Sequence, residues 1–296
     1  MDKFSIFHIE GGLGKHISAT AVSRCIKKTH PDRKLIVVCA YPEVFINLDF
    51  VSRVYKHGNT PYFYQDYIKD KDFLMFKGEP YFTTDHLKKN ANLIQNWCNL
   101  HNLDWSGELP EIKFNFRQQQ YNNILWNREK PIFLIQTNGG PLKEQPYNYS
   151  WTRDIPHYLL EPVINQFSDQ YHIIQICRNE SQSINDSRVE TITKEMTNTE
   201  LFGLVNASSK RLLIDSSLQH IATALNKPST VLWIGTDPQV FGYTLNNNIK
   251  ANLNDSDFKL HDSYIFDYNF NGSLHECPLE SPFNMFDINE IINSLK

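Results

Sequence analysis

Cysteine is scarce in this sequence and shows no pairing pattern. The five cysteines, Cys25, Cys39, Cys98, Cys177 and Cys277, are scattered, and no two of them have CxxC spacing. This usage argues against a disulfide framework and predicts a reduced, cytoplasmic protein.

Long apolar runs and excess positive charge are also missing. No stretch approaches the ~20 apolar residues that span a bilayer, and the first residues have the pattern of a strand, so we expect no signal peptide. The formal net charge of -4 disfavours a surface built mainly for nucleic acid, although a local basic patch remains compatible with it. With 296 residues, 41% of them hydrophobic, the chain has the length for two α/β domains with large cores.

The clearest pattern in the chain is a β-α-β unit at residues 211–238. A buried strand at 212–214 is followed by a polar turn at 215–217, an amphipathic helix and a second buried strand at 230–234. The helix begins at the carboxyl edge of the predicted parallel sheet, where open α/β folds bind ligands. Its unpaired N–H groups and its dipole favour a phosphate.

Four side chains near this turn are candidate ligand contacts. Ser216 or Ser217 can cap the helix or bond a ligand oxygen, and Asp215 can accept hydrogen bonds from sugar hydroxyls. His220 can point the same way, as a neutral or a charged imidazole. The alternative is that Asp215 and Ser216 only cap the helix and that His220 is an ordinary helix residue.

A second ligand-type loop, EGGLGKH at residues 10–16, follows a first predicted strand at 4–9. Gly12 and Gly14 allow the backbone to turn sharply and to approach a ligand closely, but the loop matches neither a Walker A motif nor GxGxxG. His16 is the first choice for a general base. Glu10 is the second, and Lys15 can balance negative charge on a ligand. The alternative is that His16 and Lys15 are solvent-exposed.

Other predicted strands complete the α/β pattern. The strand at 131–136 ends in a glycine turn with Asn138 and Gly139, and the strand at 171–177 is followed by Glu180. Further strands are predicted at 34–40, 51–56 and 110–114, and further helices at 84–100, 117–126, 198–207 and 285–296 and before residue 167.

The run from Asp215 to Pro238, D-S-x-x-x-H-I-A-x-A-L-x-K-P-x-x-x-L-x-I-G-T-D-P, resembles the signature of the ADP-heptose:lipopolysaccharide heptosyltransferases, glycosyltransferase family 9. The segment that leads into it, and the TNGG turn with the later Trp151, resemble the same family. The resemblance covers most of the second half of the chain and little of the first.

This resemblance implies an α/β fold of the GT-B class, with two Rossmann-like domains whose parallel sheets face a central cleft. Residues 1–127 would form the acceptor-side domain and residues 128–283 the domain that binds the nucleotide sugar. A closing helix at 284–296 would cross back to the first domain.

The implied donor is a nucleoside-diphosphate sugar, and the implied acceptor is a hydroxyl of a glycan or glycolipid. No cofactor or metal is expected, since the helix N-terminus and nearby cations stabilise the departing diphosphate. Glu180 falls at the family position that contacts the nucleotide ribose, and Met196 at a position lining the base pocket. Tyr149 stands where the family has a phosphate-binding Lys, a charge that Arg153 or Lys143 can supply.

Two features bear on catalysis. Lys15 stands where the family has an Asp associated with catalysis, so the base remains open among His16, Glu10 and Lys15. The pairs Asp70-x-Asp72 and Asp255-x-Asp257 superficially resemble the metal-binding DxD of another transferase fold, but both lie in charged, loop-like stretches.

Three functions remain open. The first is an inverting, metal-independent, heptosyltransferase-like enzyme in the cytoplasm, including peripherally at the inner membrane face. The second is a phage-type glycosyltransferase acting on modified DNA bases, which requires a basic face that the overall acidity disfavours. The third is a catalytically inactive GT-B module that binds a nucleotide sugar, for which Lys15 is the best support.

Overall fold

The computed structural model describes residues 2–139, 153–155, 157–177, 182–193, 195–252 and 285–296, with Tyr158 described by its backbone only. The chain divides into two compact units. The first is Met1–Gln119 with Thr223–Leu225, and the second is Gln120–Ala222 with Asn226–Lys296.

The first unit contains one parallel sheet with the strand order β3-β2-β1-β4. Its strands are β1 (Lys3–Ile9), β2 (Lys34–Cys39), β3 (Val51–Lys56) and β4 (Asp72–Phe76). Its helices are α1 (Leu13–Thr29), α2 (Phe63–Tyr67), α3 (Thr84–Leu87) and α4 (Leu93–Leu100), with short 3-10 turns at Pro42–Val44 and Pro80–Phe82.

The central strands of this sheet are buried on both faces, as their near-continuous apolar sequences require. On one face α1 and α4 pack over Phe7, whose ring meets Trp97 edge-on at 5.5 Å. On the other face α2 covers an aromatic cluster in which Phe4 meets Tyr67 at 5.0 Å. All four strands end at one edge, which carries the 10–16 loop.

The second unit contains a six-stranded parallel sheet with the order β10-β9-β8-β5-β6-β7. Its strands are β5 (Ile132–Gln136), β6 (His172–Ile176), β7 (Val189–Ile192), β8 (Ser208–Ile214), β9 (Thr230–Trp233) and β10 (Asn247–Lys250). The helices from residue 116 onward are α5 (Phe116–Leu125), α6 (Leu160–Phe167), α7 (Asn198–Ala207), α8 (Ser217–Ala224), α9 (Pro238–Phe241) and α10 (Ile288–Leu295), and a 3-10 turn, His157–Leu159, precedes α6.

The predicted β-α-β unit is confirmed as β8, α8 and β9, and β8 and β9 are parallel neighbours. Because β8, β5 and β6 are successive parallel strands of one sheet, the loops after these strands lie at one carboxyl edge. The geometry of the candidate donor site follows from this strand order.

The helix predicted at the end of the sequence is present as α10. In the structure α10 belongs to the second unit and packs on α6, β8 and β9. Ile291 and Leu295 are buried in the core of that unit together with Val163 and Phe167 of α6. Two amphipathic helices therefore bury their apolar faces against each other and the sheet.

Other differences are local. The helix predicted at 84–100 is two helices, because Lys89 adopts a left-handed φ of 55° and Asn92 caps a new start by accepting from the N–H of Gln95. Residues 110–114 form no strand. The short strands β4, β7 and β10 were not predicted.

Candidate functional site

The turn after β8 brings Asp215 close to Arg153. The Asp215 carboxylate is buried, and its Oδ2 lies 4.0 Å from Nε of Arg153. Sequence reasoning proposed both residues separately, and the fold places them together. A carboxylate and a guanidinium side by side provide an acceptor for hydroxyls and a positive charge for phosphate.

Ser216 caps α8, as one of the two sequence alternatives predicted. Its Oγ accepts from the N–H of Leu218 at 3.2 Å and donates to Oε1 of Gln136. Ser217 is the first residue of α8 and is half-buried. The serine hydroxyl thus connects the start of α8 to the end of β5.

The loop after β5 is fixed by Asp154. Its Oδ1 accepts from the N–H of Gly139 at 3.0 Å and its Oδ2 from the amide of Asn138 at 3.2 Å. Burial raises the pKa of Asp154, while these two hydrogen bonds lower it and limit the rise. A Cβ at Gly139 would lie 3.2 Å from Cδ1 of Ile214, so the glycine permits close packing against the end of β8.

Two glutamines that the sequence analysis did not single out fix these loops through hydrogen bonds. Gln175, fully buried in β6, donates to Oγ1 of Thr137 at 2.8 Å and accepts from the N–H of Ile184 at 2.8 Å. Gln136 donates to the carbonyl of Asn138 at 3.1 Å. Each glutamine is a polar residue near the end of an otherwise apolar strand, and this pattern could have indicated its role from the sequence.

His220 is buried, and both of its ring nitrogens are engaged. Nδ1 lies 2.7 Å from Oη of Tyr243, and Nε2 lies 3.3 Å from Nε2 of Gln219, which also donates to the carbonyl of Phe241. Burial lowers the pKa of His220 to about 4, against the opposing effect of the Asp215 charge. The prediction that His220 faces a ligand is corrected: this neutral imidazole braces α8 against the segment at 241–243.

Tyr243 reaches His220 because the chain turns tightly after α9. The N–H of Gly242 bonds the carbonyl of Pro238 at 2.8 Å, and a Cβ at Gly242 would lie 2.6 Å from that oxygen. Asp237 caps α9 and pairs with Lys250 at 3.0 Å. The loop after β9 is thereby attached to the first turn of α8.

In the first unit, the glycine loop folds over its own lysine. Gly11 has a φ of 102°, and a Cβ there would lie 3.0 Å from Cδ of Lys15. Gly12 precedes α1 without a side-chain cap, and Gly14 lies in its first turn. At Gly11, the close approach that a glycine allows is therefore made by the stem of Lys15.

Lys15 is corrected from a solvated or ligand-facing cation to one half of a buried ion pair. Its side chain is 7% exposed, and Nζ lies 2.5 Å from Oε2 of Glu79. The ammonium also lies over the rings of Trp97 and Tyr81, at 5.2 and 5.4 Å. A carboxylate and two aromatic faces compensate a cation placed unfavourably at a helix N-terminus.

His16 is corrected as the first-choice base, because it is fully buried and both of its ring nitrogens bond backbone groups. Nδ1 donates to the carbonyl of Gly12 at 2.9 Å, and Nε2 accepts from the N–H of Ala40 at 3.1 Å. Burial lowers the pKa of His16 to about 4. This imidazole is neutral and has no lone pair for a substrate proton.

Glu10 lies at the carboxyl end of β1 with its side chain 63% exposed. Its Oε1 lies 3.4 Å from Nζ of Lys77 and 3.6 Å from Nδ1 of His8. The hydrogen bond with Lys77 lowers the pKa of Glu10. His57, at the end of β3, brings its ring to 4.7 Å from that of His8. Neither histidine was singled out from the sequence.

Comparison of the sequence with protein-family models and with curated proteins gives no match. Comparison with solved structures gives matches over nearly the whole chain. A glycosyl transferase family 9 protein from Veillonella parvula DSM 2008 has a TM-score of 0.71 and 13% sequence identity, covering 99% of this chain and 96% of that one.

Two further matches are heptosyltransferases. E. coli ADP-heptose lps heptosyltransferase II has a TM-score of 0.59 and 13% identity, covering 99% of this chain and 98% of that one. The dodecameric, iron-containing heptosyltransferase TibC, solved with ADP-D-beta-D-heptose, has a TM-score of 0.63 and 13% identity, covering 98% of this chain and 72% of that one. At these identities the likeness shows the fold.

The fold is GT-B.

Two residues of this GT-B chain, Met196 and Glu180, were predicted from the family resemblance to contact the donor nucleotide. Met196 is half-buried just before α7, whose capping box joins Thr197 and Glu200. Glu180, like Lys143, Tyr149 and Trp151, lies outside the described residues.

Of the two DxD pairs, Asp255 and Asp257 also lie outside the described residues. In the other pair, Asp70 and Asp72, the carboxylate of Asp72 at the start of β4 forms an ion pair with Arg33 at 2.8 Å. Within the described ranges, no group of three or more His, Cys, Asp or Glu side chains is placed to hold a metal ion. No helix in the described parts of the GT-B chain is both long enough and apolar enough to cross a bilayer.

Proposed function

We propose that this protein is a glycosyltransferase that moves a sugar from a nucleoside-diphosphate sugar to an acceptor hydroxyl. One observation carries the proposal. In a fold similar to solved heptosyltransferases, the buried Asp215 carboxylate and the Arg153 guanidinium meet beside the N-terminus of α8.

The second unit would bind the donor. The first N–H groups of α8 and the charge of Arg153 both favour a diphosphate, and they gain in strength when it becomes the leaving group. Asp215 cannot favour an anion, so we assign it to the sugar hydroxyls. Asp154 fixes Asn138 and Gly139 beside them.

The proposed reaction is inverting, and its charge development can be met without a metal. The acceptor oxygen forms a bond to the anomeric carbon while the bond from that carbon to the diphosphate breaks, and a base takes the acceptor proton. His16 is excluded as that base by its backbone bonds.

For the acceptor we propose a glycan or glycolipid, by analogy with the matched heptosyltransferases. The proposed location is the cytoplasm, with peripheral attachment at the inner membrane face for a glycolipid acceptor. We propose no cofactor.

The test combines a thermal-shift panel of nucleotide sugars with a transfer assay on the best ligand. A ligand of the native state raises the melting temperature. We expect Asp215→Ala to lower turnover at least a hundredfold while the protein stays folded. Asp186→Ala is the matched control, since Asp186 pairs with an arginine, Arg188, at 2.6 Å before β7. Equal turnover of the Asp215 variant and the wild type would refute the site.

A second candidate is a catalytically inactive module that binds a nucleotide sugar. The ion-paired Lys15 favours it, because Lys15 stands where the resemblance implies a catalytic Asp and the first turn of α1 contains no acidic residue. This candidate predicts a thermal shift with nucleotide sugars but no release of nucleoside diphosphate with any acceptor.

A further inference from the structure

Gln136, the last residue of β5, is buried, and both ends of its side-chain amide are engaged. Its Nε2 donates to the carbonyl of Asn138 at 3.1 Å, and its Oε1 accepts from the hydroxyl of Ser216. The side chain is 6% exposed, so it joins two neighbouring loops of the second unit rather than facing solvent. Any effect of Gln136 on a ligand is therefore exerted through the residues that it holds.

The loop after β5 gives Gln136 a fixed partner, because other side chains hold this loop independently. Gln175 donates to Oγ1 of Thr137 at 2.8 Å, and that hydroxyl donates to Oδ1 of Asn138 at 2.6 Å. Asp154 accepts from the amide nitrogen of Asn138 at 3.2 Å. The amide of Asn138 thus has its oxygen on a donor and its nitrogen on an acceptor, which defines its orientation. A buried polar network that is paired in this way is rigid.

Gln136 sets the direction of the Ser216 hydroxyl. A hydroxyl has one hydrogen, and in Ser216 this hydrogen points at Oε1 of Gln136, so towards α8 the oxygen acts only as an acceptor. There it accepts from the N–H of Leu218 at 3.2 Å and caps the helix. With an apolar residue at position 136 the hydroxyl would be free to rotate, and a hydrogen turned towards the first-turn N–H groups would oppose the cap.

The cap decides which N–H groups of α8 remain for a ligand. The first N–H groups of a helix have no acceptor inside it. In α8 the cap takes the N–H of Leu218, and no described group accepts from the N–H of Ser217 or of Gln219. A diphosphate oxygen that accepts from these two groups therefore meets a first turn whose position is set by the cap.

We propose that Gln136 is a positioning residue for the donor diphosphate, a role that rests on the proposed function. Held by the loop after β5, Gln136 orients the Ser216 hydroxyl. This hydroxyl keeps the first turn of α8 in the form that presents the N–H groups of Ser217 and Gln219 to the phosphate oxygens. Gln136 itself does not touch the donor.

The experiment measures the binding of nucleoside diphosphates by calorimetry. ADP, GDP, UDP, CDP and dTDP are titrated into the wild type, and the tightest binder becomes the probe. The probe is then titrated into Gln136→Leu, Ser216→Ala and the double variant, and the free energy of unfolding of each protein is measured in urea. Thr230→Val is the control, because the buried Thr230 hydroxyl bonds Oγ of Ser294 at 2.8 Å at the opposite edge of the same sheet.

We expect Gln136→Leu to bind the probe about 2- to 13-fold more weakly, as the loss of one ordinary hydrogen bond predicts. Ser216→Ala should weaken binding to a similar extent. Since Gln136 acts through Ser216, the double variant should bind about as weakly as the weaker single variant. Thr230→Val should lose stability and keep the wild-type affinity.

Wild-type affinity in Gln136→Leu would overturn the positioning role while leaving the proposed function in place. Losses that multiply in the double variant would overturn it too, because the two residues would then act separately. Equal weakening by Thr230→Val would assign the effect to stability and would also overturn the role. If the wild type binds none of the five diphosphates, the proposed function fails, and this role with it.

Discussion

At the scale of single residues, buried histidines make the stability of this protein depend on pH. The pKa of His16 falls from 6.5 to about 4 on folding, so below pH 6.5 the unfolded chain binds a proton that the folded chain does not. Its contribution is complete above pH 6.5 and is lost as pH falls towards 4. The full contribution of His16 to the free energy of unfolding is about 3 kcal/mol, from 1.36 kcal/mol per pKa unit.

We therefore expect His16→Asn to be less stable than the wild type at pH 7, with a flatter decline of unfolding free energy between pH 7 and 5. Urea denaturation at several pH values measures this. His30→Asn should keep the wild-type slope. A His16→Asn slope equal to that of the wild type would show that His16 is not a buried neutral group.

The Lys15–Glu79 pair allows a second prediction at this scale. Glu79→Gln leaves a deeply buried ammonium unpaired, whereas Lys15→Met leaves a carboxylate that is 33% exposed. Breaking a buried pair costs about 3–5 kcal/mol, so we expect Glu79→Gln near the lower end of this range and Lys15→Met below it.

Because the two side chains interact, the double variant should be less destabilised than the sum of the single variants. Denaturation at neutral pH gives all three values. Strict additivity would contradict the ion pair.

At the residue scale, Asp215 was proposed from its place at the end of a strand and Arg153 from the resemblance to glycosyltransferase family 9, and the structure places the two side chains near each other. That both ring nitrogens of His16 bond backbone groups depends on which carbonyl and which N–H lie beside them. That information lies in the pairing of β1, β2 and β3.

At the scale of secondary-structure elements, polar contacts join α7 to α5 and to Trp126, which follows α5. Nε1 of Trp126 donates to the carbonyl of Glu200 at 3.0 Å, and Oη of Tyr121 donates to its carboxylate at 2.9 Å. A Cβ at Gly203 would lie 2.2 Å from the side chain of Asn122. The glycine is needed for this close approach of the helices.

We expect Gly203→Ala to destabilise the protein by about 1–3 kcal/mol, the usual cost of overpacking. Adding Asn122→Ala removes the obstructing amide, so the double variant should recover part of this loss. Thermal or urea denaturation distinguishes the two cases. No recovery in the double variant would mean that the contact with Asn122 is not the cause.

The elements that the sequence predicted well are those with their own signals. Strands β1, β2, β5 and β6 are apolar runs, and α8 shows helical periodicity. The missed strands, β4, β7 and β10, have four or five residues each, and their pairing with β1, β6 and β9 defines them. The β-like segment at 110–114 has no partner strand in the described structure.

At the scale of the whole molecule, the β-α-β patterns predicted parallel α/β sheets, the resemblance to glycosyltransferase family 9 implied the GT-B fold, and both are confirmed. The parallel sheets were predictable because β-α-β patterns dictate parallel order and place ligand loops at one edge. The packing of α10 on α6 was not predictable in this way, since its apolar face fits any exposed apolar surface.

The central claim is that the turn at 215–217, with Arg153 beside it, binds an activated sugar. Calorimetric titration of the protein with its best nucleotide sugar tests this most directly, using the wild type, Asp215→Asn and the control Asp186→Asn. Loss of a charged hydrogen bond of about 1.5–3 kcal/mol predicts about 10- to 150-fold weaker binding by Asp215→Asn and unchanged binding by Asp186→Asn. Equal affinity of all three proteins, or no binding of any nucleotide sugar by the wild type, would contradict the account.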